Sequence, residues 1–107
     1  MTRDMQTDET GPELPGGAIA PLRRVVFVLN EQGLHARPAA KLAQEAQKYA
    51  SEIKIVCNGA TVDAKSILDV LTLAAGNGTS LELAAAGPDA AEALDSLARL
   101  FKQRFQV

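Results

Sequence analysis

The sequence predicts an α+β domain, a small antiparallel sheet with helices packed on one face. Three observations lead there. The stretches 52–59 and 79–86 alternate apolar and polar residues with the period of two expected of half-buried strands. The stretches 36–48 and 87–105 instead repeat their apolar residues at helical spacing. An Asn-Gly pair at 58–59 joins two strand-like runs, the strongest short-range hairpin signal.

Taken in order, "LRRVVFVLN" (22–30) is apolar and β-branched and reads as the first strand. "NEQG" turns the chain. A helix follows from Ala36 to about Lys48, with Ala39, Leu42, Ala43 and Ala46 on its apolar face. Ile53, Ile55 and Cys57 alternate along the second strand, and "ATVDA" after the hairpin is a short third. Ser66 opens a short helix over about 67–74, and Asp69 stands three residues on, where a capping box has Glu or Gln. The glycines of "AGNG" suit the positive φ that ends such a helix. "TSLELAAA" carries Leu81, Leu83 and Ala85 on one face as a fourth strand. The last segment is an amphipathic helix with Leu94, Leu97, Ala98, Phe101 and Phe105 on its face. Gly87 or Asp89 caps it, Pro88 suits its first turn, and Lys102 and Arg104 lie near its negative end. The order is βαββαβα.

The chain has 107 residues, room for one small domain and a tail. Residues 1–20 are acidic, polar and without periodicity, and are expected to be a disordered leader; the domain is expected over 21–107. A 47% hydrophobic fraction, much of it alanine, suits a core in which helices approach the sheet closely. A net charge of -2 argues against nucleic acid or an anionic membrane as partner, and 4% aromatics argue against base stacking. Cys57 is the single cysteine, so an internal disulfide is excluded and a reducing cytoplasm is the expected location. The N-terminus has no apolar core of a secretory signal. One His and one Cys make no metal cluster, and neither a G-x-S-x-G elbow nor a G-x-x-x-x-G-K-[ST] loop occurs, so no metal or cofactor is expected.

The one histidine, His35, lies in "QGLHARPAA" (32–40), between Gly33 and Pro38. Pro38 marks the opening turn of a helix, so His35 falls at its cap. A helix N-terminus offers unpaired N–H donors and about half a positive elementary charge, which attract phosphate or carboxylate. The same charge disfavours a protonated ring and leaves a nitrogen lone pair. Arg37 adds a fork of donors matched to phosphate oxygens. That combination suits a nucleophile accepting a phosphoryl group. Position and charge alone leave two other readings open, a capping role and a surface loop feature with no role.

"GLHARPAA" (33–40) closely resembles the active-site signature of the HPr family, the histidine-containing phosphocarrier proteins of the bacterial phosphoenolpyruvate-dependent phosphotransferase system. "AKSILDVLTLAA" (64–75) resembles that family's regulatory serine segment at the family's spacing, and the element order and final long helix match too. The resemblance spans about 21–107. It implies an HPr-like open-faced β-sandwich, four antiparallel strands with three helices on one face. His35 would be the phosphohistidine, accepting at Nδ1 from the system's first enzyme and donating to sugar-permease components. Arg37 would steady the phosphate charge, with Ala36 and the next backbone N–H groups completing the anion site. The chain would be a carrier, a substrate and donor within a transfer chain rather than an enzyme, and a monomer. The alternative is a regulatory paralogue in nitrogen or carbon control using the same phosphohistidine.

The resemblance also makes Ser66 the target of a serine kinase and phosphatase, although Ser66 is already explained as an N-cap worth about 1 kcal/mol. Partners would dock on an apolar patch of Leu34, Leu68 and Leu71. Ile67 and Val70 are then expected to be buried, and Leu68 and Leu71 at least partly exposed. The chain departs from the family's pattern at Ala74, where many members have glycine, at Ala36, where some have threonine, and in its long leader.

Overall fold

The computed structural model describes residues 20–106. The expected leader lies, apart from Ala20, outside the described residues. The described elements follow the expected order: β1 (Leu22–Phe27), α1 (Ala36–Ala46), β2 (Glu52–Cys57), β3 (Ala60–Asp63), α2 (Ile67–Thr72), β4 (Ser80–Ala86) and α3 (Ala90–Lys102). The strands form one antiparallel sheet in the order β1-β4-β2-β3.

Alternation decides which face is buried. Val26 and Val28, Leu81, Leu83 and Ala85, and Ile53, Ile55 and Cys57 all face the helices and are buried. On the other face Val25 pairs with Glu82 and Glu82 with Val56, and Val25 is 59% exposed. The sheet is therefore open on one side. The helices supply small residues to the covered side: Ala39, Ala43 and Ala46 from α1 and Ala90 and Ala93 from α3 are buried, and this lets backbones pack closely. Phe101 and Phe105 are buried in the core, edge to face at 4.9 Å. At the hairpin Asn58 (φ 50°) and Gly59 (φ 83°) both adopt the positive φ of a tight type I′ turn.

The boundaries differ from expectation in instructive ways. The first strand stops at Phe27 rather than Asn30, yet Val28 still pairs outside the regular ladder, its N–H donating to Thr79 at 2.9 Å and its C=O accepting from Gly78 at 2.7 Å. The helix of the histidine segment ends at Ala46 and the short helix at Thr72, each two residues early. Gly78 takes a positive φ of 89°, but Gly76 does not; the residue that turns left-handed directly after α2 is Ala74, at φ 50°. Pro88 precedes the last helix instead of entering its first turn, and Arg104 lies beyond that helix.

Asp89 is the N-cap of α3, but its carboxylate caps nothing there. It accepts from the Ala50 and Ser51 N–H groups at 2.9 Å and from the Ser51 hydroxyl at 2.5 Å. The Ser51 hydroxyl and the Ala50 N–H, in that order, hold the Asp89 carboxyl below its usual range. A second tie joins α1 to α3: Glu45 accepts from the Ser96 hydroxyl and pairs with Lys48 at 2.9 Å, and both lower its pKa, the hydroxyl most.

Candidate functional site

α1 begins without a side-chain cap. His35 is the N-cap in extended conformation, φ -78° and ψ -171°, and its ring makes no capping hydrogen bond. The first intrahelical bond runs from Ala39 N–H to His35 C=O at 3.0 Å. The amides of Ala36 and Arg37 precede that bond, and Pro38 has no N–H to offer. The anion donors of this terminus are thus two amides, fewer than the residue spacing suggests. His35, Ala36 and Arg37 are exposed, whereas Pro38 and Ala39 are buried and anchor the turn beneath them.

The loop before the histidine is held against the segment that follows α2. Gly33 has φ +72°, and a Cβ there would lie 2.4 Å from the Ala75 carbonyl oxygen and 2.9 Å from Gly76 Cα. Only glycine tolerates both the dihedral and the approach. Gly33 N–H donates to Asn30 C=O at 3.0 Å and Leu34 N–H to Ala75 C=O at 2.9 Å. Leu34 is 4% exposed. It was expected on a docking patch and instead lies in the core, because the latch to Ala75 turns its side chain inward while His35 turns out.

A third element reaches this place from the far end of the chain. After α3 the backbone turns left-handed at Arg104 (φ 55°) and Phe105 (φ 59°). Asn30 Nδ2 donates to Arg104 C=O and Lys41 Nζ to Phe105 C=O, both at 2.8 Å. Two adjoining depressions meet at His35; Asn30, Gln32 and Arg104 line both, and Arg37 and Lys41 line one. Sequence reasoning missed Arg104 as a neighbour of the histidine. No spacing signal could have found it, since sheet order and the final turn bring it there.

Arg23 and Arg24 are engaged elsewhere, with Glu82 at 2.8 Å and Asp95 at 2.5 Å. The guanidiniums of Arg37 and Arg104 have no ion pair among the described residues. Two idle guanidiniums, two unpaired amides and an exposed imidazole converge on open solvent, an arrangement suited to an anion that arrives and leaves. Among the described residues no group of His, Cys, Asp and Glu could hold a metal ion.

α2 starts differently. The Ser66 hydroxyl accepts from Asp69 N–H at 3.2 Å, so this end is capped. The reciprocal half of a capping box is missing. The Asp69 carboxylate, one methylene shorter than Glu, accepts from Asp63 N–H at 3.2 Å, and Ser66 N–H donates to Asp63 C=O at 3.1 Å. Of the six residues in α2, Val70 alone is buried; Ile67, expected inside, is 38% exposed and Leu68 75%. A helix of so few turns points one position squarely at the core. Leu71 is half-buried and packs against the core.

An open-faced α+β sandwich presenting an exposed histidine at an uncapped helix terminus, beside guanidiniums without an ion pair among the described residues, belongs to the class of proteins suited to hold an anionic group. Comparison with known proteins gives that class its family. Residues 22–103 match the family model described as the PTS HPr component phosphorylation site. Curated relatives include the phosphocarrier protein HPr of Cupriavidus necator, 48% identical over 84 residues, covering 78% of this chain and 94% of that protein. That of Treponema pallidum is 46% identical over 83 residues with the same coverage. Among solved structures, HPr of Thermoanaerobacter tengcongensis superposes with a TM-score of 0.77 at 35% identity, covering 80% of this chain and 97% of that one. The chain belongs to the HPr family, the phosphocarriers of the phosphotransferase system, and is a carrier rather than a catalyst. No helix among the described residues is long and apolar enough to cross a membrane.

Proposed function

We propose that His35 accepts a phosphoryl group from the phosphoenolpyruvate-dependent first enzyme of the system and passes it to sugar-permease components in the cytoplasm. The observation that carries this reading is the uncapped start of α1, where an exposed ring stands beside two unpaired amides and the free guanidinium of Arg37. A ring nitrogen lone pair attacks phosphorus as the donor's bond to phosphorus breaks, and the donor keeps the electron pair. The amides of Ala36 and Arg37 and the Arg37 fork share the three phosphoryl oxygens. An exposed site stabilises the adduct only moderately, as a carrier requires. One chain holds the whole site, so a monomer suffices. Leu68 offers a partner an exposed apolar contact, with Leu71 half-buried behind it. Ser66 has a structural role as cap, and its modification would act by adding charge beside that contact.

The test is phosphoryl uptake from phosphoenolpyruvate and the cognate first enzyme. Expected is one acid-labile, base-stable phosphate, absent in His35→Ala with an unchanged Tm. Equal labelling of His35→Ala would move the acceptor elsewhere. Labelled recipients in a host lysate identify the receiving components.

A further inference from the structure

We propose that Arg104 is a second guanidinium that contacts the phosphoryl group on His35, an inference that rests on the phosphocarrier reading above. Arg104 lines both depressions that meet at His35, whereas Arg37 lines one. Its guanidinium has no ion pair among the described residues.

The backbone around it is built to hold it there. Left-handed φ at two successive non-glycine residues, 55° at Arg104 and 59° at Phe105, is costly for side chains with a Cβ. Several bonds keep the turn in place: Phe105 N–H to Leu100 C=O at 2.8 Å, Gln106 N–H to Gln103 C=O at 3.0 Å, and the Asn30 and Lys41 contacts to the carbonyls of Arg104 and Phe105. The Phe105 ring is 4% exposed and packs on Phe101. A helix could simply fray after Lys102. Here both anchors, Asn30 and Lys41, come from the histidine's own neighbourhood, one from the loop before it and one from α1. The turn is therefore fastened to the site, and Arg104 with it.

In the transfer step the bond from donor to phosphorus breaks as the ring nitrogen–phosphorus bond forms. The phosphoryl oxygens carry their charge throughout. Arg37 and the amides approach them from the helix side, and Arg104 approaches from the C-terminal turn, so the group is held between two forks.

The experiment compares wild type, Arg104→Gln and Arg104→Lys in phosphoryl uptake from the phosphorylated first enzyme, with kcat and KM separated. The 31P shift and lifetime of the phosphohistidine are read as well. Expected for Arg104→Gln is about a tenfold lower kcat/KM, scaled down from a buried donor for an exposed site. A changed 31P shift and a shortened lifetime should accompany it at an unchanged Tm, with Arg104→Lys restoring part of the rate. Arg104→Gln matching wild type in rate, 31P shift and lifetime would overturn the proposal and leave the phosphocarrier reading standing. An unlabelled wild type would sink that reading, and this proposal with it.

Discussion

α1 and α2 start alike in backbone terms and differ in what fills the first turn. Both have an extended residue at the cap, His35 and Ser66. At Ser66 a hydroxyl takes up a free amide, and the terminus is closed. At His35 no side chain does so, and Pro38 removes one donor that would otherwise need a partner. An uncapped helix end forgoes about 1 kcal/mol. It is tolerated here because the turn is secured from outside, by buried Pro38 and Ala39 and by the latch of Gly33 and Leu34 onto Ala75. The lesson is that stability and anion binding compete for the same amides. The fold gives them to stability in α2 and leaves them open in α1.

The strongest way to break this comparison is to remove the outside support. Gly33→Ala places a methyl group against the Ala75 carbonyl and forces an unfavourable φ. A loss of about 2–4 kcal/mol is expected by denaturant titration, from the left-handed dihedral and the close approach together. Phosphoryl uptake should fall as well, since the histidine loop must shift. If Gly33→Ala kept wild-type stability, the latch would not be what holds the open terminus.

A paired exchange sharpens the contrast more gently. Ser66→Ala should cost about 1 kcal/mol, the worth of a hydroxyl cap. His35→Asp should gain up to about 1 kcal/mol by adding the acceptor that α1 lacks, while abolishing phosphoryl uptake. The sign is the decisive part, read from chemical denaturation of both variants. A destabilised His35→Asp would mean that the amides of Ala36 and Arg37 are not available to a cap.

Much of this was legible in the sequence, for a physical reason. Period-two and helical patterning report burial directly, so the alternation of Ile53, Ile55 and Cys57 and the Asn-Gly hairpin identified β2 and its turn. His35 at a helix mouth was legible because Pro38 constrains the local backbone. What failed depended on contacts distant in sequence. Leu34 reads as part of a docking patch until Ala75, from beyond α2, pulls it in. Ile67 reads as core until the shortness of α2 leaves room for Val70 alone. Arg104 is joined to the site by Asn30, and nothing local announces it. The Ala74 departure does have a local trace: left-handed φ falls on it, where many members of the family have glycine.

The start of α3 offers a third arrangement and the smallest effect. Its cap residue, Asp89, spends its carboxylate on Ala50 and Ser51 rather than on its own helix, and so fastens α3 to the approach of β2. Those donors favour the charged form and lower the pKa, as Ser96 and Lys48 do for Glu45. A carboxyl whose folded pKa is depressed contributes stability that is present above its unfolded value, about 4, and is lost as pH falls through the folded value. Tm should therefore be flat near neutrality and decline on the acid side below about pH 4. Asp89→Asn should flatten that decline and lower the neutral plateau, because an amide cannot accept at both positions. An acid limb of the same slope in Asp89→Asn would assign the titration to other carboxylates. Such a result would also reduce the contact with Ser51 to a neutral tie, and the three helix starts would then differ in geometry alone and not in how each uses charge.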